Sequence, residues 1–190
     1  ADGNGRRDAG ETGIAGVAVS NGREVVRTGA DGAWSLPVTD DTGIFVIKPA
    51  GWAVPVNEMQ IPQHYYIHKP EGSPELVVPG VEPTGPLPAS IDFPLTKWEE
   101  PEAYSVLLFG DPQARGLREV NFVAHDVIAE CIGTDALFGI TLGDIVADDA
   151  GLFSTIADLT SKIGIPWYNV FGNHDSNRDG ERARPDAGFT

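Results

Sequence analysis

The sequence predicts two successive architectures: an all-β sandwich, then a partial α/β domain whose elements alternate as βαβαβ around a parallel sheet. Three observations predict it. Short alternating runs punctuated by Asn21-Gly22 and Asp31-Gly32 occupy the start of the chain. Ten of the 15 prolines fall between Ala53 and Pro101, a density that no helix runs through. From Ser105 onward, three short apolar runs alternate with two stripes of helical period. Composition changes near Trp98, so residues 1–98 are expected to form the sandwich module with its Pro-rich connector, and 99–190 the N-terminal half of an α/β domain.

Ile14–Ser20 alternates, with Val17 and Val19 on one face, and Asn21-Gly22 supplies a hairpin turn into a second strand at Arg23–Thr28. Asp31-Gly32 supplies another turn, and Ala33–Leu36 and Phe45–Lys48 are two further strand candidates. Strands this short and this regularly spaced suggest a small sandwich. In the second half, Ser105–Phe109 is a buried-type run ending at Gly110-Asp111. Val120, Val123, Ala124, Val127, Ile128 and Cys131 then mark one face of a helix over Arg118–Ile132. Leu137–Leu142 ends at Gly143-Asp144, and Leu152, Phe153, Ile156, Leu159 and Ile163 mark a second helix. Ile165–Phe171 ends at Gly172-Asn173-His174-Asp175. Apolar strands joined by helices imply parallel pairing with right-handed crossovers.

Charge narrows the function. The chain has 190 residues with 13 Lys+Arg against 28 Asp+Glu, a formal net charge of −15. That balance argues against a binder of nucleic-acid backbones and against docking on an anionic membrane surface, while clustered carboxylates suit a divalent cation. No apolar run approaches the roughly 20 residues of a bilayer span. The beginning, Ala-Asp-Gly-Asn-Gly, fits a processed secreted protein and equally a trimmed chain; an extracytoplasmic or secreted location is the expectation. Cys131 is the lone cysteine, which rules out an internal disulfide.

Each of the three strands ends in a glycine followed by residues able to bind metal: Asp111 with Gln113, then Asp144, then Asn173, His174 and Asp175. The steps of 33 and 29 residues approximate one strand-helix unit, which sets all three groups at the carboxyl edge of neighbouring parallel strands. Carboxylate and amide oxygens with imidazole suit Mn, Fe, Zn or a similar ion. An Asp or Asn after a strand is often only the cap of the next helix. Three such groups in register, the last within Gly-Asn-His-Asp, argue for a site. Asp148 and Asp149 precede the second helix, where capping is the stronger explanation and a supporting role beside a metal the weaker. His64 and His68 lie in a strand or loop, and His125 falls off the apolar stripe of its helix; all three are expected to be bystanders.

Gly110-Asp111-Pro112-Gln113, Gly143-Asp144 and Gly172-Asn173-His174-Asp175 resemble the first three motifs of calcineurin-like metallophosphoesterases. VSNGREVVRTGADGAWSLP resembles the Ig-like or carboxypeptidase-regulatory-like module that precedes some bacterial members, and YYIHKPEGSP and SIDFPL resemble the stretch joining it to the catalytic domain. The resemblance implies a hydrolase of phosphomonoesters or phosphodiesters. It would use two divalent metal ions (Mn, Fe, Zn or Mg) and a bridging hydroxide. It implies Asp111 and Gln113 as ligands of one metal, Asp144 as the bridge, Asn173 as a ligand of the other, and His174 as the group that contacts phosphate and assists the leaving group. Asp148 and Asp175 would support these from behind. Gln113 stands where the family has His, and residues 1–190 contain no Gly-His-x-His motif. The 190 residues alone are therefore expected to be inactive and to self-associate through an uncovered sheet edge. The competing expectation is a non-catalytic attachment module, with Trp34 and Trp52 as its contact residues.

Overall fold

The computed structural model describes residues 8–76 and 78–176. They divide into two compact units. The first draws on Ala1–Pro55, Gln63–Glu75 and Pro79–Pro101; the second draws on Val56–Pro62, Leu76–Val78 and Glu102–Thr190.

The first unit is antiparallel. Strands β1 (Ala18–Ser20), β2 (Val25–Arg27), β3 (Thr42–Ile47) and β5 (Tyr65–His68) form a four-stranded sheet in the order β2-β1-β3-β5. Strands β4 (Trp52–Ala53) and β6 (Thr96–Lys97) pair separately, Trp52 opposite Lys97. The β1–β2 hairpin forms around Asn21-Gly22, but its connection runs from Asn21 to Glu24 rather than over two residues. The Asn21 side chain accepts from the backbone N–H of Arg23 and Glu24, and an Asx turn of this kind organises the longer loop. Ala33–Leu36, expected as a strand, is irregular. Pro37 at its end lacks a ladder donor, and Trp34 instead stacks on Phe93 at 6.0 Å. Val17, Val46 and Leu95 form the buried core of the unit, flanked by Ile14, Trp52, Val54 and Phe93.

The second unit carries the alternating half. Strands β7 (Val106–Phe109), β8 (Phe138–Thr141) and β9 (Trp167–Asn169) form a parallel sheet in chain order, Phe109 opposite Thr141 and Thr141 opposite Asn169. Between β7 and β8 runs one continuous helical stretch, α1 (Leu117–Val123), a π-type turn at Ala124–Ile128, and α2 (Ala129–Cys131). Glu119 in the first turn accepts from the Arg115 N–H and secures that entry. The π turn inserts an extra residue, so the stripe drifts: Val120 and Ile128 are buried while Val127 is 41% exposed. Helix α3 (Phe153–Ser161) follows a short 3₁₀ turn at Ala150–Leu152. The helices pack on the loops after β7 and β8 through Val120, Leu152, Ala114, Ile145 and Val146, and on the sheet through Ile128, Ile163 and Trp167. Among the described residues no helix is long and apolar enough to cross a membrane.

Candidate functional site

The loops after β7, β8 and β9 converge because the parallel register aligns the strand ends. The pairing continues past the strands as a parallel bridge between Ala114 and Val146, and the Gln113 N–H donates to the Asp144 carbonyl at 2.8 Å. The loops after β8 and β9 come closer still. A Cβ on Gly172 would lie 2.1 Å from both the backbone N and Oδ1 of Asp144, so only glycine fits there. Gly143, at φ 96°, makes the matching turn on the other side.

Asp144 is the hub. Its Oδ1 accepts from the His174 backbone N–H at 3.0 Å and its Oδ2 from Nε2 of Gln113 at 3.0 Å. The His174 N–H above all holds the Asp144 carboxyl below its ordinary range; the Gln113 amide, charge on His174 and the Asn173 N–H act in the same direction, and desolvation opposes them. Asp144 is therefore an anion at neutral pH. Gln113 spends its amide donor on Asp144, which leaves Oε1 as the side-chain atom able to face a cation.

His174 is engaged from its other side. Its Nδ1 lies 2.9 Å from Oδ1 of Asp148, and its carbonyl accepts from the Asp148 N–H. Asp148 thus faces His174, while Asp149 caps the following turn, its Oδ1 accepting from Gly151 N. Asp175 is 5% exposed and accepts from Val146 N and Gly172 N at 3.1 and 2.9 Å. It fastens the loop after β9 to the loop after β8, each of its oxygens accepting one backbone N–H. The side chains of Asp111 and Asn173 sit exposed at this edge, without a side-chain hydrogen bond among the described residues.

Asp111, Gln113, Asp144 and Asp148 all have left-handed backbone, with φ of 54, 40, 47 and 68°. Such conformations cost of order 1–3 kcal/mol each and persist where surrounding contacts enforce them, as they do at binding sites. Nothing in the residue order announced them. His68, in contrast, is buried in β5 of the first unit, and His125 is exposed on its helix.

The donor chemistry fits one hard cation in part. Asp111, Asp144 and the amide oxygens of Gln113 and Asn173 are all oxygen donors at one edge. No group of three or more His, Cys, Asp and Glu able to hold a metal occurs among the described residues. His174 Nδ1 is committed to Asp148. The described residues thus fall short of a two-metal centre.

A family model described as the N terminal of calcineurin-like phosphoesterase matches residues 1–77. The matched part is the domain that precedes such a phosphoesterase, in agreement with the resemblance of the three motifs to calcineurin-like metallophosphoesterases. The motif loops themselves lie after the matched residues. Among curated proteins and among solved structures, nothing matches the chain.

Proposed function

We propose that the chain carries part of the catalytic apparatus of a metal-dependent phosphate-ester hydrolase, with the first unit as an accompanying β-sandwich. The observation that carries this is the bonded series Gln113–Asp144–His174–Asp148, drawn from three loops at the carboxyl edge of one parallel sheet. Asp111, Gln113, Asp144 and Asn173 would hold a divalent cation, which when bound supplies Lewis-acid charge for the phosphoryl oxygens. The protein's own groups do the rest. Asp144 stays ionised because the His174 and Asn173 N–H groups and the Gln113 amide face it. Asp148 holds Nδ1 of His174, which fixes the ring and leaves Nε2 to meet the substrate; in its doubly protonated form the ring would give the Nε2 proton to the leaving oxygen and remain as the neutral Nδ1–H imidazole facing Asp148. The substrate would be a small phosphate ester.

The test is a titration of residues 1–190 with Mn²⁺, alongside turnover of aryl phosphate mono- and diesters. Weak binding is expected, with Asp144→Asn reducing affinity about tenfold or more, the typical scale for ligand-shell changes. Turnover of these residues alone is expected to stay at background, and Asp148→Asn should shift the His174 ring resonances with little change in Mn²⁺ affinity. Unchanged Mn²⁺ affinity in Asp144→Asn would overturn the reading.

A second reading, an attachment module, is favoured by one feature. The first unit has an open cleft of about 630 Å³ whose lining includes Trp34, Trp52 and Phe93. That volume is within the range of small-ligand sites. Loss of binding to a polysaccharide in Trp34→Ala, with Mn²⁺ affinity unaltered, would support it.

A further inference from the structure

We infer that residues 56–62 form a strap on the open edge of β9 and act as a positioning segment for the loop bearing Asn173 and His174. The inference rests on reading that loop as part of the phosphoesterase site.

The segment interrupts the first unit in sequence, yet it is part of the second. It is closed on itself. Val56 bridges Pro62, Asn57 N donates to Ile61 O at 3.0 Å, and Gln60 N donates to Asn57 O at 2.9 Å. The Asn57 side chain accepts from Met59 N and Ile61 N, and Gln60 is held at φ 60°. This geometry turns the Gln60 carbonyl outward, where it accepts from Trp167 N at 2.9 Å.

The direction of that bond is the central point. Gly139 N donates to Pro166 O, and Val170 N donates to Thr141 O, so alternate residues of the strand face β8. Trp167 N–H therefore points to the opposite, open edge. The strap supplies its acceptor and covers the edge, a standard remedy for an exposed strand. Met59 and Ile61 also meet Ile145, Phe153, Ile156 and Trp167 around a void of about 30 Å³, so the contact is apolar as well.

Trp167 transmits the hold. It is 2% exposed, its Nε1 donates to Thr141 Oγ1, and its ring lies 4.7 Å from that of Phe109. A Cβ on Gly139 would sit 2.0 Å from the ring, so the indole has one place to go. The strap thus fixes Trp167, Trp167 fixes β9 against β8, and the chain leaving β9 delivers Gly172 onto Asp144.

The experiment uses the 190-residue chain, with Ile61→Ala as the weakening variant and Ile61→Val as the conservative rescue. Amide hydrogen exchange is read at Trp167 and, as a reference in the first unit, at Val46; the His174 ring is read by NMR. Ile61→Ala should speed exchange at Trp167 about tenfold relative to Val46 and shift the His174 ring resonances. Ile61→Val should restore both. Equal acceleration at both amides, or His174 resonances that stay in place while Trp167 exchange rises, would overturn positioning in favour of simple edge cover. Neither readout needs metal or turnover. A wild-type chain that fails to bind Mn²⁺ would break the phosphoesterase reading and leave the strap untouched.

Discussion

The two units give their polar residues different partners. In the antiparallel unit, turn amides and carboxylates meet nearby backbone, Asn21 accepting from Arg23 and Glu24 and Asp31 from Ala33, while the carboxylates that reach far, Asp41 and Glu100, pair with the lysines Lys69 and Lys48. In the parallel unit the acids reach across loops. Asp144 bonds residues 31 and 30 positions away, Asp175 one 29 away, and Asp148 one 26 away. A hairpin brings sequence neighbours together, so its turn needs only local acceptors. A parallel crossover brings distant strand ends together, so the polar groups there can meet one another. Left-handed backbone and a distant partner also occur at Asp41, which meets Lys69; what sets the candidate site apart is that its acids meet the amide, imidazole and backbone N–H groups of neighbouring loops instead of a lysine.

Glycine replacement should break this contrast most sharply. Gly172→Ala drives a Cβ into Asp144 backbone, whereas Gly43→Ala in β3 meets nothing within 4 Å. Gly172→Ala is expected to cost about 3 kcal/mol in urea unfolding, and Gly43→Ala less than about 0.5 kcal/mol. Equal costs would remove the distinction between the loops and the sheet.

Next come the two aspartates with comparable local duties. Asp175→Ala strands two backbone donors, of Val146 and Gly172, at a site 5% exposed. Its cost should be about 2–3 kcal/mol. Asp31→Ala loses one exposed bond to Ala33 N and should cost about 0.5 kcal/mol. Chemical denaturation of both variants checks the ratio.

Tyr168 on β9 gives a smaller, pH-dependent effect. Burial raises its phenol above the ordinary value of 10.0. The folded state thus holds the proton more tightly than the unfolded state. The associated stability is intact below the unfolded value and is lost as pH rises through the folded one. Wild-type stability should fall faster than that of Tyr168→Phe above about pH 10. Parallel curves would count against burial as the cause.

The smallest effect is expected on the surface of α3. Lys162 pairs with Asp158 at 2.8 Å, both side chains more than half exposed. Lys162→Ala should change stability by only about 0.3–0.5 kcal/mol, and less at high salt.

Much of the second unit was legible before any coordinates. Its helices have a 3.6-residue apolar period and its strands are unbroken apolar runs, so Val120, Ile128 and Trp167 could be placed in its core. The strand-glycine-ligand repeat likewise put Gln113, Asp144, Asn173 and His174 at one edge. The first unit was less legible. Ala33–Leu36 has strand-like composition, but its outcome depended on Phe93, some 60 residues away in sequence, offering Trp34 a stacking partner. Position before a helix suggests capping for Asp148 and Asp149 alike; Asp149 does cap, whereas the contact of Asp148 with His174 is one for which local rules contain no term.

Sequence by itself determined the type of each element in the second unit, the turn at Asn21-Gly22, and which oxygen-bearing side chains stand at strand ends. These follow from periodicity and from the φ preferences of single residues, which are local properties. Tertiary structure alone decided that Asp175 fastens loops while Asp148 holds His174, that Asp111, Gln113, Asp144 and Asp148 at the site take left-handed backbone, and that residues 56–62 close the edge of β9. Each of those depends on a contact between groups far apart along the chain, and its free energy exists only once the sheet has brought them together.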